Sequence, residues 1–193
     1  METKPSMAKE GKPNRGVPRL PTDDALRSRA RIQPQELEHT RLLVPQALFE
    51  RTLGQLAERS AGWRESAAIW IGALDGEDAF ASEVLFHHEL CEDNAGPLSL
   101  ELSEQAKFDL YRTLALSGRK IVSLIHTHPR DWVGLSAVDE DNQICSRIGF
   151  WSLVVPWYGR EPWALERIGV HARTNDGWYE FRGSEISRRV VLV

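Results

Sequence analysis

The sequence predicts an α/β protein in which a mixed β-sheet is sandwiched by helices, preceded by a flexible N-terminal arm. Two separate stretches repeat apolar residues at helical spacing. Short apolar runs closed by turn residues lie between and after them, too brief for helices. The two kinds of segment follow one another as β, α, β, β, α, β, α, β, β, β, which breaks the regular alternation of a purely parallel sheet. A length of 193 residues, 41% hydrophobic and 27% charged, suits one globular domain.

Residues 1–33 contain Pro5, Pro13, Pro18 and Pro21 with Gly11 and Gly16 and few large apolar side chains. Such a segment cannot bury enough surface to order itself, so residues 1–33 are expected to be a flexible arm and 34–193 the folded domain. A short apolar run from Leu37 ends at Val44, and Pro45 then opens a helix marked by Phe49, Leu53, Leu56 and Ala57 and ended near Ala61 and Gly62. Residues 66–72 read as a buried strand, turned by Asp75-Gly76 into a hairpin partner over 80–88. Ser103 as N-cap, Glu104 in the first turn, Leu110, Leu114 and a closing Gly118 define a second helix. A strand over 120–125 follows, then a third helix from Ser136 to about Arg147, then a strand over 150–155 closed by Pro156. Asn175-Asp176-Gly177 predicts a last hairpin between 163–171 and 178–181.

Charge is unevenly spread: the first 31 residues hold eight basic and four acidic side chains and the rest 16 and 24, so the arm carries +4 and the body −8. An acidic body repels a phosphate backbone, which argues against nucleic acid as a partner. No apolar stretch approaches the roughly 18 residues of a membrane-spanning helix, which argues against a membrane. The N-terminus lacks the apolar core of a secretory signal, and two cysteines, Cys91 and Cys145, make no disulfide framework, so a cytoplasmic location is expected.

The chemistry is concentrated in 125–139, where His126, His128, Ser136 and Asp139 fall within one strand, loop and helix start. Side chains at i and i+2 of a strand point to the same face, so the two imidazoles can converge on one ion. Pro129 ends the strand, and Ser136 and Asp139, three apart, share a face of the following helical turn. Two imidazoles and a carboxylate leave a fourth zinc position open, the arrangement of a catalytic site in which the ion activates water and polarises a carbonyl. Ser136 with Asp139 also reads as a capping box.

The spacing His-x-His-Pro, six residues, Ser-x-x-Asp resembles, residue for residue, the signature of the JAMM (MPN+) metallopeptidases, which include deubiquitinases and prokaryotic relatives. The segment from Arg64-Glu65 to Gly72 resembles the upstream stretch that carries this family's catalytic glutamate. The resemblance covers about 42–155 and implies an MPN-like sheet. It implies one zinc per chain held by His126, His128 and Asp139, with Glu65 handling the proton of the attacking water and Ser136 hydrogen-bonding the oxyanion. It further implies cleavage of a peptide or isopeptide bond after the C-terminal tail of a ubiquitin-like protein, in deconjugation or precursor processing. The partners implied are that protein or its conjugates and, through the basic arm, its activating or conjugating enzymes. A non-catalytic MPN-type module that grips a ubiquitin-like partner is the alternative, and the intact ligand set speaks against it. A DNA-repair-associated RadC-type relative shares His-x-His-Pro, but that group usually continues Pro-Ser-Gly where this chain has Pro129-Arg130-Asp131.

Other candidates read differently. His87 and His88, taken as strand neighbours, point to opposite faces and do not share an ion, and Cys145 reads as a small buried residue of the third helix. Of the seven tryptophans, Trp63, Trp70, Trp151, Trp157, Trp163 and Trp178 are expected in or beside core strands. Trp132 lies in the loop between candidate ligands, placed either to meet an extended peptide or to anchor the loop.

Overall fold

Strand β2 (Ala67–Asp75) carries the argument for the architecture, because it is apolar on both sides. Ala68 and Trp70 join one buried cluster and Ile69 and Ile71 another. Successive strand residues face opposite ways, so the sheet has a hydrophobic core on each face. Helix α1 (Gln46–Ser60) covers the first core with Leu48, Phe49, Leu53 and Leu56, and ends at Ala61 in the left-handed region with φ 46°. The second core receives Leu110 and Leu114 from a helix at Glu104–Ser117. The computed structural model describes residues 33–90, 102–141, 144–160 and 164–193, and Gln33–Val193 form one compact unit.

The sheet has eight strands: β1 (Arg41–Val44), β2, β3 (Asp78–Phe86), β4 (Lys120–Thr127), β5 (Trp151–Val155), β6 (Gly169–Thr174), β7 (Gly177–Phe181) and β8 (Val190–Leu192). Their order is β7-β6-β5-β4-β2-β3-β1-β8. Pairing is mixed, with β4 and β5 parallel while β2 runs antiparallel to both β3 and β4. Further helices are α2 (His87–Leu90), α3 (Glu104–Ser117), α4 (Ala137–Asp141) and α5 (Ser184–Arg189). The expected mixed sheet between helices is thus observed. Helix α3 has the predicted ends, with the Ser103 hydroxyl accepting from the Ala106 N–H and Gly118 left-handed at φ 68°.

Several local expectations differ from the structure. The third helix does not run to Arg147: α4 ends at Asp141, and Ile144 is buried in the second core while the Tyr111 hydroxyl donates to its carbonyl. Burying Ile144 under α3 takes the chain off the helical path, and Cys145 is a half-buried residue of an irregular segment. The strand expected over 80–88 stops at Phe86, and His87 and His88 open α2. The strand expected over 163–171 begins only at Gly169, after a 3-10 turn at Leu165–Arg167. Trp70 and Trp151 are fully buried, whereas Trp63 and Trp157 are exposed. The expected arm through Ile32, Cys91 and Trp163 lie outside the described residues. Among the described residues, no helix is long and apolar enough to cross a membrane.

One buried polar link ties α1 to the sheet. The Trp70 indole N–H donates to the Thr52 hydroxyl at 2.9 Å, and that hydroxyl donates to the Leu48 carbonyl at 2.7 Å. Thr52→Val keeps the shape and strands the indole donor in the core. The expected cost is about 1–3 kcal/mol in urea denaturation, the penalty of an unsatisfied buried donor.

Candidate metal centre

The site is set by the register of β4 against its neighbours. His126 pairs with Ala67 of β2 on one side and Val154 of β5 on the other. Carrying the antiparallel register two residues further places Glu65 opposite His128, on the same face as Ala67 and His126. Residue 66 pins that register from the other face. The Ser66 N–H donates to the Thr127 hydroxyl, the Thr127 N–H donates to the Ser66 carbonyl, both at 2.9 Å, and the Ser66 hydroxyl donates to Leu56 of α1. Beyond the end of β4, the His128 N–H still donates to the Val155 carbonyl at 2.8 Å, so the second histidine continues the strand's path.

His126 and His128 are 1% and 4% exposed, and their Nε2 atoms lie 3.1 Å apart. Asp139 closes the triangle, with Oδ1 at 3.4 Å from His126 Nε2 and Oδ2 at 3.5 Å from His128 Nε2. Among the described residues these three form the one group of at least three such side chains placed to hold a metal ion. Donors about 2.0–2.1 Å from one tetrahedral zinc stand about 3.3 Å from each other, so these separations suit a single small cation. The donor set fits as well. The His128 Nδ1 lies 3.0 Å from the Trp132 carbonyl, which fixes its proton there and turns the Nε2 lone pair inward. The Trp132 ring, 54% exposed, stacks on His128 with centroids 5.1 Å apart.

Ser136 stands behind Asp139. Its N–H and hydroxyl both donate to Asp139 Oδ2 at 2.7 Å, and its hydroxyl accepts from the Asp139 N–H at 3.1 Å. The capping-box reading therefore holds together with the ligand reading: Oδ2 closes the helix start beside His128, and Oδ1, free of the cap, faces His126. The hydroxyl proton that the family resemblance assigns to an oxyanion is directed here at the carboxylate.

Glu65, His126, His128, Ser136 and Asp139 line one cavity of about 330 Å³ whose wall continues through apolar Ile69, Leu90, Leu124 and Ile144. Thus all five predicted residues are brought together. Burial pushes the Glu65 carboxyl above its ordinary range, against the opposing pull of His128 and His126. His87 lines the same cavity, and His88 instead contacts Arg59 at 2.7 Å. Sequence reasoning missed the Trp132 carbonyl as the partner of His128, since any residue supplies a carbonyl. It also missed the apolar wall, whose members come from four separate elements or loops.

Burial opposes charge on Asp139, yet the nearby His126 and His128 hold its carboxyl well below its ordinary 3.8. Burial likewise opposes charge on His128, and Asp139, the Trp132 carbonyl and Glu65 raise it above its ordinary 6.5. The depressed Asp139 stabilises the metal-free fold above pH 3.8 and stops doing so as pH falls through its lower folded value. The raised His128 stabilises below pH 6.5, and that contribution is lost as pH rises through its higher folded value. Chelator-treated protein is expected to lose stability as pH climbs above 6.5 relative to His128→Gln. Urea denaturation of both across pH checks this, and parallel profiles would exclude a protonated His128.

No protein-family model matches the chain, and no curated protein matches its sequence. Among solved structures it is similar to the solution structure of protein DSY2949 from Desulfitobacterium hafniense, at 16% identity and a TM-score of 0.56, over 79% of this chain and 92% of that one. A protein from Salinibacter ruber aligns at 15% identity and a TM-score of 0.49, over 72% of this chain and 90% of that one. Neither name states an activity. The first likeness concerns the mixed α/β fold alone.

Proposed function

We propose that this chain is a zinc-dependent peptidase or isopeptidase of the JAMM (MPN+) kind, cleaving after the C-terminal tail of a ubiquitin-like protein. The observation that carries the metal-centred part is the convergence of His126, His128 and Asp139 at separations of 3.1–3.5 Å, beside Glu65 in one cavity. The His-x-His-Pro and Ser-x-x-Asp spacing supports the family, and through it the MPN-like sheet and the ubiquitin-like tail as substrate.

His126 Nε2, His128 Nε2 and Asp139 Oδ1 would hold the ion, which when bound supplies an activated water and a Lewis acid for the scissile carbonyl. Glu65 accepts the proton of the attacking water and returns it to the leaving amine, and the upward shift that burial gives its carboxyl favours its taking up a proton. Trp132 and Ser136 orient His128 and Asp139 from behind. The apolar wall lowers the solvation of the half-buried Glu65 carboxyl and offers an extended peptide a surface to lie on.

Two sets of variants test this. Protein purified without added metal is expected to carry about one zinc per chain by mass spectrometry, and the His126→Ala, His128→Ala double variant none. Glu65→Gln should keep its zinc while cleavage of ubiquitin-like fusions falls by about 10²–10⁴. Loss of metal in Glu65→Gln would contradict its role as base, and wild-type protein that takes up no zinc would leave the binding-module alternative. Ser136→Ala separates two assignments. If the hydroxyl orients Asp139, zinc affinity in a chelator competition should fall about tenfold; if it served only the oxyanion, affinity would stay and turnover alone would drop.

A further inference from the structure

We infer that His171, two strands away from the ligands on β6, is a positioning residue for the metal centre: it holds the 129–135 loop against the sheet and thereby sets the ring of His128. This role presupposes a cation at His126, His128 and Asp139 and so rests on the metal reading above.

The sheet register puts His171 on the correct face. Leu124 pairs with Ser152 and Ser152 with His171, while His126 pairs with Val154 and Val154 with Gly169. Paired residues share a face, so Gly169 and His171 lie in the two rows that pass through Leu124 and His126. The loop leaving His128 crosses over these rows on its way to Ser136. It packs against Gly169, where an added Cβ would stand 2.0 Å from the Val133 carbonyl oxygen and 2.9 Å from the Val133 Cβ. Only glycine lets the loop backbone rest on the strand there.

His171 completes the contact. It is 3% exposed, and its Nε2 lies 2.9 Å from the Val133 carbonyl oxygen, to which it donates. The preceding carbonyl, that of Trp132, lies 3.0 Å from His128 Nδ1. Two consecutive peptide carbonyls are thus gripped by two imidazoles, one a candidate ligand and the other on β6. The two peptide planes meet at the Val133 Cα, so freeing the Val133 carbonyl loosens the backbone that presents the Trp132 carbonyl to His128. Loss of that acceptor releases both the tautomer and the tilt of the ligand ring. His171 acts through the loop and is no ligand, since it stands outside the three-residue cluster.

The test measures zinc affinity by chelator competition, and the absorption spectrum of the cobalt-substituted protein, for wild type, His171→Leu, His171→Gln and Gly169→Ala. Glutamine places an N–H near the position of the histidine Nε2 and should restore the bond. Relative to wild type, zinc binding is expected to weaken about tenfold in His171→Leu and Gly169→Ala and to stay within about twofold in His171→Gln, with a changed cobalt spectrum only in the first two. Should His171→Leu not fold, His171→Asn, whose amide stops short of Val133, takes its place. Wild-type-like affinity in folded His171→Leu would overturn the role of His171 alone, as would a loss that His171→Gln fails to rescue. Wild-type protein that takes up no zinc would overturn the metal reading and this role with it.

Discussion

The reciprocal bonding of Ser66 and Thr127 is the constraint on which the rest of the site depends. It locks β2 against β4 in the register that sets Ala67 beside His126. A slip of β4 by one residue would send both imidazoles through the sheet into the core under α1 and part them from Glu65. The polar pair lies on the face opposite the imidazoles, where the Ser66 hydroxyl also reaches the Leu56 carbonyl of α1. Register, helix docking and presentation of the site are therefore one problem solved by one serine and one threonine. Neither touches the cavity.

The second constraint is the path of the loop from His128 to Ser136. A strand supplies two donors easily, because its geometry repeats every two residues, but the third has to come from elsewhere and meet them at the same point. Here the chain leaves the strand at Pro129, lies on β6 where Gly169 admits its backbone, and returns at a helix start whose capping carboxylate is itself the third candidate ligand. Each turn of that path is fixed by a hydrogen bond to a main-chain group. This is why the arrangement depends on so few side chains beyond the chemical ones.

The legible part of the sequence was the part governed by short-range rules. The ends of α3 follow from Ser103 and Gly118, the β2–β3 turn from Asp75-Gly76, and the convergence of His126, His128 and Asp139 from strand and helix periodicity. What escaped depends on contacts between distant segments. Nothing local to Ile144 says that burial under α3 outweighs helix continuation, and nothing local to Val190–Leu192 says that it pairs in parallel with β1. Trp63 and Trp157 show the limit of composition: an indole beside a strand is core only if the sheet face at that point is covered. His171 carried no motif, because its partner is a carbonyl thirty-eight residues away in the chain.

The two oxygens of Asp139 do different work: Oδ2 closes the first turn of α4 while lying beside His128, and Oδ1, free of the cap, faces His126. An amide in place of the carboxylate would keep an acceptor for the cap and turn its N–H group toward the His126 ring nitrogen. The pocket would then satisfy its own hydrogen bonds with no cation at all. Exchange of one oxygen for one nitrogen thus separates the folded scaffold from its chemistry, leaving the sheet, the cap and the cavity in place. On such a framework a single substitution would turn the proposed metal centre into a metal-free pocket without disturbing the cap that Ser136 and Asp139 form.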